Sequence, residues 1–220
     1  GIFPDLRPLA PLLKDSENAQ IQWWNKTASG VLTGTLFTDG SGIHTTVGGL
    51  RRAGWSVVQV DRLGNTVSAA YGPVPRSMGP QQVARDGEDC AILMAAILGQ
   101  APMDIYADCS GTVDAYDMPL SETTGSGHLR AHIWRKIWQC IRGEAVLVHK
   151  TNWQKKGNDS ADHFAKVGAA VHQRGGSHRA AQAHRLRFSG GSGFAVRLAD
   201  CGYPCLAACK KKKTNRFFSR

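Results

Sequence analysis

No apolar run in this sequence approaches the roughly 20 residues that a membrane-spanning helix needs. No secretory signal is visible either. Cysteine is sparse and does not follow a zinc pattern. Cys90, Cys109 and Cys140 are scattered through apolar segments and read as reduced core residues. Cys201, Cys205 and Cys209 form C-x3-C-x3-C, whereas zinc modules use C-x2-C pairs. Acids are nearly missing from residue 174 onward, where Asp200 stands against 11 Lys and Arg. The remaining 16 cations and 16 acids cancel, so the whole net charge of +10 lies in the tail. A neutral body with a basic, Gly-rich arm suggests either a phosphate-seeking segment or an extension without a selected role. Lys210–Lys213 reads as a nuclear localisation patch or simply as part of that basic tail.

What remains is enough for a core. At 220 residues and 42% hydrophobic, the chain holds one domain of about 150 residues plus extensions. Residues 1–30, with Pro4, Pro8, Pro11 and Trp23-Trp24, read as a connector. Residues 31–173 read as the folded domain, and 174–220 as a poorly ordered tail. Strand signals fall at Val31–Phe37, Gly54–Val60 and Thr66–Tyr71, with a tight turn at Gly64-Asn65. A helix follows from Gln81 to Leu98, then a strand at Met103–Ala107 and a short helix at Ser110–Tyr116. Ser121–Gly127 reads as a polar loop. Leu129–Ile141 reads as a helix with Ile133, Ile137 and Ile141 at four-residue spacing. Ala145–His149 is a strand, Lys150–Gly157 a loop, and the last helix runs from a cap at Asn158 to about Gln173. The order predicts an α/β fold. Its sheet is five-stranded and mixed, three antiparallel strands then two parallel, flanked by helices.

Thr38-Asp39-Gly40-Ser41-Gly42 ends the first strand. An Asp-Gly there is commonly a turn. The small residues also leave room for a metal ion and a phosphate to approach. Asp108 closes the fourth strand, where it is either a helix cap or a partner for Asp39 at a point where strands diverge. Glu88 lies in a helix with Ala91, Ile92 and Ala95 on one side. Asp86 and Asp89 are rival candidates, and Gly87 is an unusual choice for a helix interior. Asp162 falls in the last helix, on the side of Asn158 and Lys166. It could equally be an acid favoured by the helix dipole. Four converging acids repel one another unless a counter-charge joins them. Two Mg²⁺ ions about 4 Å apart would supply it and suit in-line phosphodiester hydrolysis, with Mn²⁺ as a substitute.

Thr38-Asp39-Gly40-Ser41-Gly42, Glu88-x-x-Ala91, Tyr106-Ala107-Asp108-Cys109-Ser110 and Gly157-Asn158-x-x-x-Asp162-x-x-Ala165-Lys166 resemble ribonuclease H motifs, in that family's order. The resemblance covers residues 33–173. It implies a ribonuclease H-like fold and an endonuclease that hydrolyses the RNA strand of RNA–DNA hybrids. Asp39, Glu88, Asp108 and Asp162 would be its metal-binding acids, with Asp39 bridging two ions. It further implies that His149 is the family's loop histidine, aiding proton transfer or product release. The family's usual basic and small residues before that histidine are missing. Gly40, Ser41, Ser110, Asn158, Arg135 and Lys136 would contact substrate. Arg130, Arg135 and Lys136 with Trp134 and Trp138 resemble a basic handle, or form an ordinary amphipathic helix. Lys155 and Lys156 could meet phosphate or be solvated. The Pro-rich lead and the start at Gly1 fit a retroelement polyprotein in which a reverse transcriptase precedes this segment. A catalytically decayed nucleic-acid-binding module and a DNA-acting, integrase-like nuclease are the alternatives.

Overall fold

The strands bury their apolar residues on one or both faces. In the computed structural model, which describes residues 21–44, 46, 51–151 and 156–171, they form one sheet. The proline-rich lead, Lys155, Lys210–Lys213 and the three tail cysteines lie outside the described residues. The strands are β1 (Gln22–Trp24), β2 (Leu32–Ile43), β3 (Arg52–Val60), β4 (Thr66–Pro73), β5 (Gly99–Ala107) and β6 (Val146–Lys150). Their order across the sheet is β1-β4-β3-β2-β5-β6. β2, β3 and β4 pair antiparallel, and β5 and β6 add in parallel beside β2. The sheet is mixed, as expected, but has six strands rather than five. The extra strand is β1, which pairs antiparallel with β4. Its three residues are too short to show a period in sequence. Contact between the Trp24 and Phe164 rings, 6.1 Å apart, helps hold it.

Local chemistry sets the β3–β4 turn. The Asp61 carboxylate accepts the N–H groups of Leu63 and Asn65 at 2.8 and 2.9 Å, and Gly64 takes φ +77°. Neighbouring residues then point to opposite faces. Leu36, Val57 and Ala70 enter the larger core, while Phe37, Val58 and Ala69 enter a smaller one across the sheet. This two-sided packing leaves β3 buried along nearly its whole length.

The helices are α1 (Ala84–Leu98), α2 (Ser110–Asp117), α3 (Leu120–Thr124), α4 (Ala131–Ile141) and α5 (Lys156–Val171). α1 lies on the larger core and α4 packs behind it. There Ile133, Trp134 and Ile137 are fully buried, at roughly 1.5–3 kcal/mol for each such side chain. α5 covers the smaller core through Ala161 and Phe164. α3 occupies the start of the stretch expected as a loop, with Thr123 buried and accepting the Trp138 indole N–H at 3.1 Å. α1 starts at Ala84 rather than Gln81. Gln82 takes φ +53° and is buried. Its amide donates to Val74 and Gly79 carbonyls at 2.9 and 2.8 Å and accepts the Ala53 N–H at 3.1 Å. Likewise α5 already includes Lys156, so Asn158 lies inside the helix and not at its cap.

Candidate active site

β2 delivers Asp39, α1 delivers Glu88, and the end of β5 delivers Asp108. Oxygen atoms of the three carboxylates lie within 4.8 Å of one another. Asp39 and Asp108 meet because β2 and β5 pair in parallel, with Thr38 opposite Ala107. Glu88 meets Asp39 because two glycines let a helix touch a strand. A Cβ on Gly40 would lie 2.1 Å from the Glu88 nitrogen, and one on Gly87 would lie 2.8 Å from the Gly40 Cα. Backbone therefore rests on backbone at this crossing. Gly40, expected to leave space for a phosphate, spends its missing side chain on that contact. Gly87, unusual in a helix interior, has the same explanation.

The three acids of α1 separate cleanly. Asp86 accepts its own cap N–H, from Val83 at 3.4 Å, and pairs with Arg130 at 3.3 Å. Asp89 pairs with Arg85 at 3.3 Å and Arg130 at 3.2 Å, and accepts the Thr112 hydroxyl at 3.1 Å. Glu88 has no such partner. Its Oε2 is buried without a hydrogen-bond donor. Arg130, a candidate for the basic handle, is occupied by these acids.

The electrostatics follow from burial. Asp39 is pushed up to about 7, first by desolvation and then by the charge of Asp108. Desolvation, then repulsion from Asp39, raises Glu88 well above the usual carboxylate range. The hydrogen bond between the two carboxyls pushes their pKa values apart, raising Glu88 and lowering Asp39. Among the described residues, no ion pair involves Asp39, Glu88 or Asp108. Three buried or half-buried carboxylates without a cationic partner are poorly stable alone and suited to a divalent cation. The all-oxygen donor set favours a hard ion over zinc.

The remaining candidates lie on β2, α2, α4, β6 and α5. Gly157 has room only for hydrogen, since a Cβ there would lie 2.4 Å from the Phe37 ring. That close seat brings the Asn158 amide to Asp108 Oδ2 at 3.1 Å and leaves Asn158 Oδ1 buried without a partner. Lys150 Nζ donates to the Asp108 carbonyl. Asp162 stands at the rim, 45% exposed and paired with Lys166 at 2.7 Å, and its charge still raises Asp39. His149 is in β6, hydrogen-bonded to Asp104 at 3.0 Å and stacked on Tyr106 with centroids 5.0 Å apart. Ser41 is half-buried in β2, and Ser110 is exposed at the start of α2. Arg135 donates to the Thr124 carbonyl at 2.8 Å, and Lys136 is half-buried on the same helix, α4. Trp134 is core, and Trp138 stacks on Tyr116 at 5.4 Å. The tryptophans of that helix are therefore packing, while Arg135 stays exposed. The Arg85–Asp89–Arg130 network and the Asp104–His149 pair were not evident in sequence. Both join residues far apart in the chain.

No protein-family model matches the chain, and neither does any curated protein. Solved structures do share its fold. LC9-RNase H1, a type 1 RNase H with the type 2 active-site motif, is 16% identical, with 64% of this chain and 74% of that one covered and a TM-score of 0.51. The foamy viral protease-reverse transcriptase in complex with RNA/DNA hybrid is 14% identical, with 78% of this chain covered and a TM-score of 0.52. The match spans only 22% of that viral chain. The architecture is thus that of ribonuclease H domains, and the likeness is one of fold.

Proposed function

We propose that this chain is a metal-dependent endoribonuclease that hydrolyses the RNA strand of RNA–DNA hybrids. The observation that carries the reading is the meeting of Asp39, Glu88 and Asp108 within 4.8 Å, with no ion pair to any of them among the described residues. The ribonuclease H fold supports the choice of chemistry. These three residues would hold Mg²⁺, or Mn²⁺ in its place. Asp39 would be the carboxylate shared between the ions, and Asp162 would contribute to the second. Two bound divalent ions supply an activated water and neutralise the leaving oxygen.

The rest of the work falls to the chain's own groups. Asn158 and Lys150 fix the carboxylate and backbone of Asp108. Ser41 and Ser110 offer hydroxyls and the Gly40 segment a backbone edge to the nucleic-acid strand. Arg135 and Lys136 add positive charge beyond the triad. His149 is exposed enough to exchange a proton with the product end, with Asp104 orienting the ring. As part of a retroelement polyprotein, the domain would follow a reverse transcriptase, a context supported by its match within the foamy viral chain.

The test is cleavage of an end-labelled RNA–DNA hybrid in Mg²⁺. The expected result is cleavage of the RNA strand alone, abolished by chelation and by Asp108→Asn. Salt-sensitive hybrid binding without any cleavage would instead establish a binding module. Cleavage of a DNA duplex but not of the hybrid would establish a DNA-directed nuclease.

A further inference from the structure

The triad is a triangle, and two of its sides have visible supports. Sheet pairing fixes Asp39 against Asp108, and the Gly40–Gly87 contact fixes Asp39 against Glu88. The third side, from Glu88 to Asp108, joins a helix to the turn that follows β5. Arg85 spans it. Its Nε donates to both Asp89 oxygens at 3.3 Å, one residue beyond Glu88. Nη2 donates to the Gly111 carbonyl at 2.6 Å and Nη1 to the Cys109 sulfur at 3.6 Å, both just beyond Asp108. Thr112, in the first turn of α2 that continues from Asp108, donates to Asp89 at 3.1 Å.

We propose that Arg85 is a positioning residue that locks the Asp108 turn to the Glu88 helix, so that the triad meets a divalent cation already assembled. The idea rests on the metal-site reading above. The planar guanidinium is required because three acceptors lie on different edges of one fork, which an ammonium on a flexible stem cannot match. Gly111 keeps the fork's space clear, since a Cβ there would lie 2.0 Å from Arg85 Nη1. The carboxylates repel one another, so a loosened third side would let them drift apart before a cation arrives.

The test is calorimetric titration of the full chain with Mn²⁺, alongside thermal unfolding, for Arg85→Lys, Gly111→Ala, Arg85→Met and Asp108→Asn. Arg85→Lys keeps the charge opposite Asp89 and is expected to melt as the unaltered chain does. Its Mn²⁺ affinity is expected to fall about tenfold or more, the usual effect of removing an outer-shell support. Gly111→Ala, which alters no charge, is expected to weaken Mn²⁺ in the same direction. Should Arg85→Met fail to fold, these two variants still decide. If either binds Mn²⁺ at full affinity while Asp108→Asn does not, Arg85 merely balances Asp89 and the proposal falls. Full affinity in Asp108→Asn as well would instead defeat the metal-site reading.

Discussion

Glu88 and Asp89 are adjacent on one helix, both buried, and treated in opposite ways. Asp89 faces two arginines and a threonine hydroxyl. Glu88 faces two other acids. Burial raises both, but only for Asp89 do Arg85 and Arg130 pull back. An acid that merely holds helices together is given counter-charges by the fold. An acid left without them is a cost that persists only if something outside the chain offsets it.

The sharpest way to break this comparison is to neutralise each acid in turn. Glu88→Gln is expected to cut hybrid cleavage about 10³-fold, from several kcal/mol of charge stabilisation at 1.36 kcal/mol per decade, while the melting temperature holds or rises. Asp89→Asn is expected mainly to destabilise the fold, by about 3 kcal/mol in denaturant unfolding because two arginines lose their partner, with a loss of cleavage far smaller than that of Glu88→Gln because Arg85 is loosened. If the two variants behaved alike, the division between working and structural acids would be wrong. Gly40→Ala probes the contact that brings Glu88 to Asp39. It is expected to destabilise by about 1–3 kcal/mol through overpacking, with weakened Mn²⁺ binding in the same protein.

The smallest effect is on pH. The folded value of Asp39, about 7, lies above its ordinary 3.8, so the folded state favours the proton. Metal-free stability should therefore rise as pH falls through about 7, and the penalty is fully present above it. Cation binding needs the ionised form. Apparent Mg²⁺ affinity should drop about tenfold per pH unit below about 7. The acid limb of the cleavage profile should move to lower pH as Mg²⁺ is raised. A limb that ignores Mg²⁺ concentration would detach Asp39 from the metal.

Much of this was legible in sequence, where information is local. Asp39 and Asp108 followed from apolar runs closed by an acid and small residues, although β2 does not end at Asp39 but runs on to Ile43, still paired with β3. The order of elements gave the mixed sheet. The choice among Asp86, Glu88 and Asp89 was not local. It depends on how α1 is rotated about its axis, which the Gly40–Gly87 contact and Arg130 decide from distant parts of the chain. β1 was hidden because three residues carry no period. The helical handle stayed open in sequence because a tryptophan beside an arginine looks the same whether it faces nucleic acid or the core. Trp134 is fully buried.

The crossing at Gly40 and Gly87 also fixes how long the acid on α1 must be. With no side chains between helix and strand, the helix cannot slide inward to make up lost reach. An aspartate at position 88 would stop one methylene short, and the helix could not move closer to the strand to return it. The gauge is the main chain itself, so the site selects glutamate by length as strictly as it selects an acid by charge.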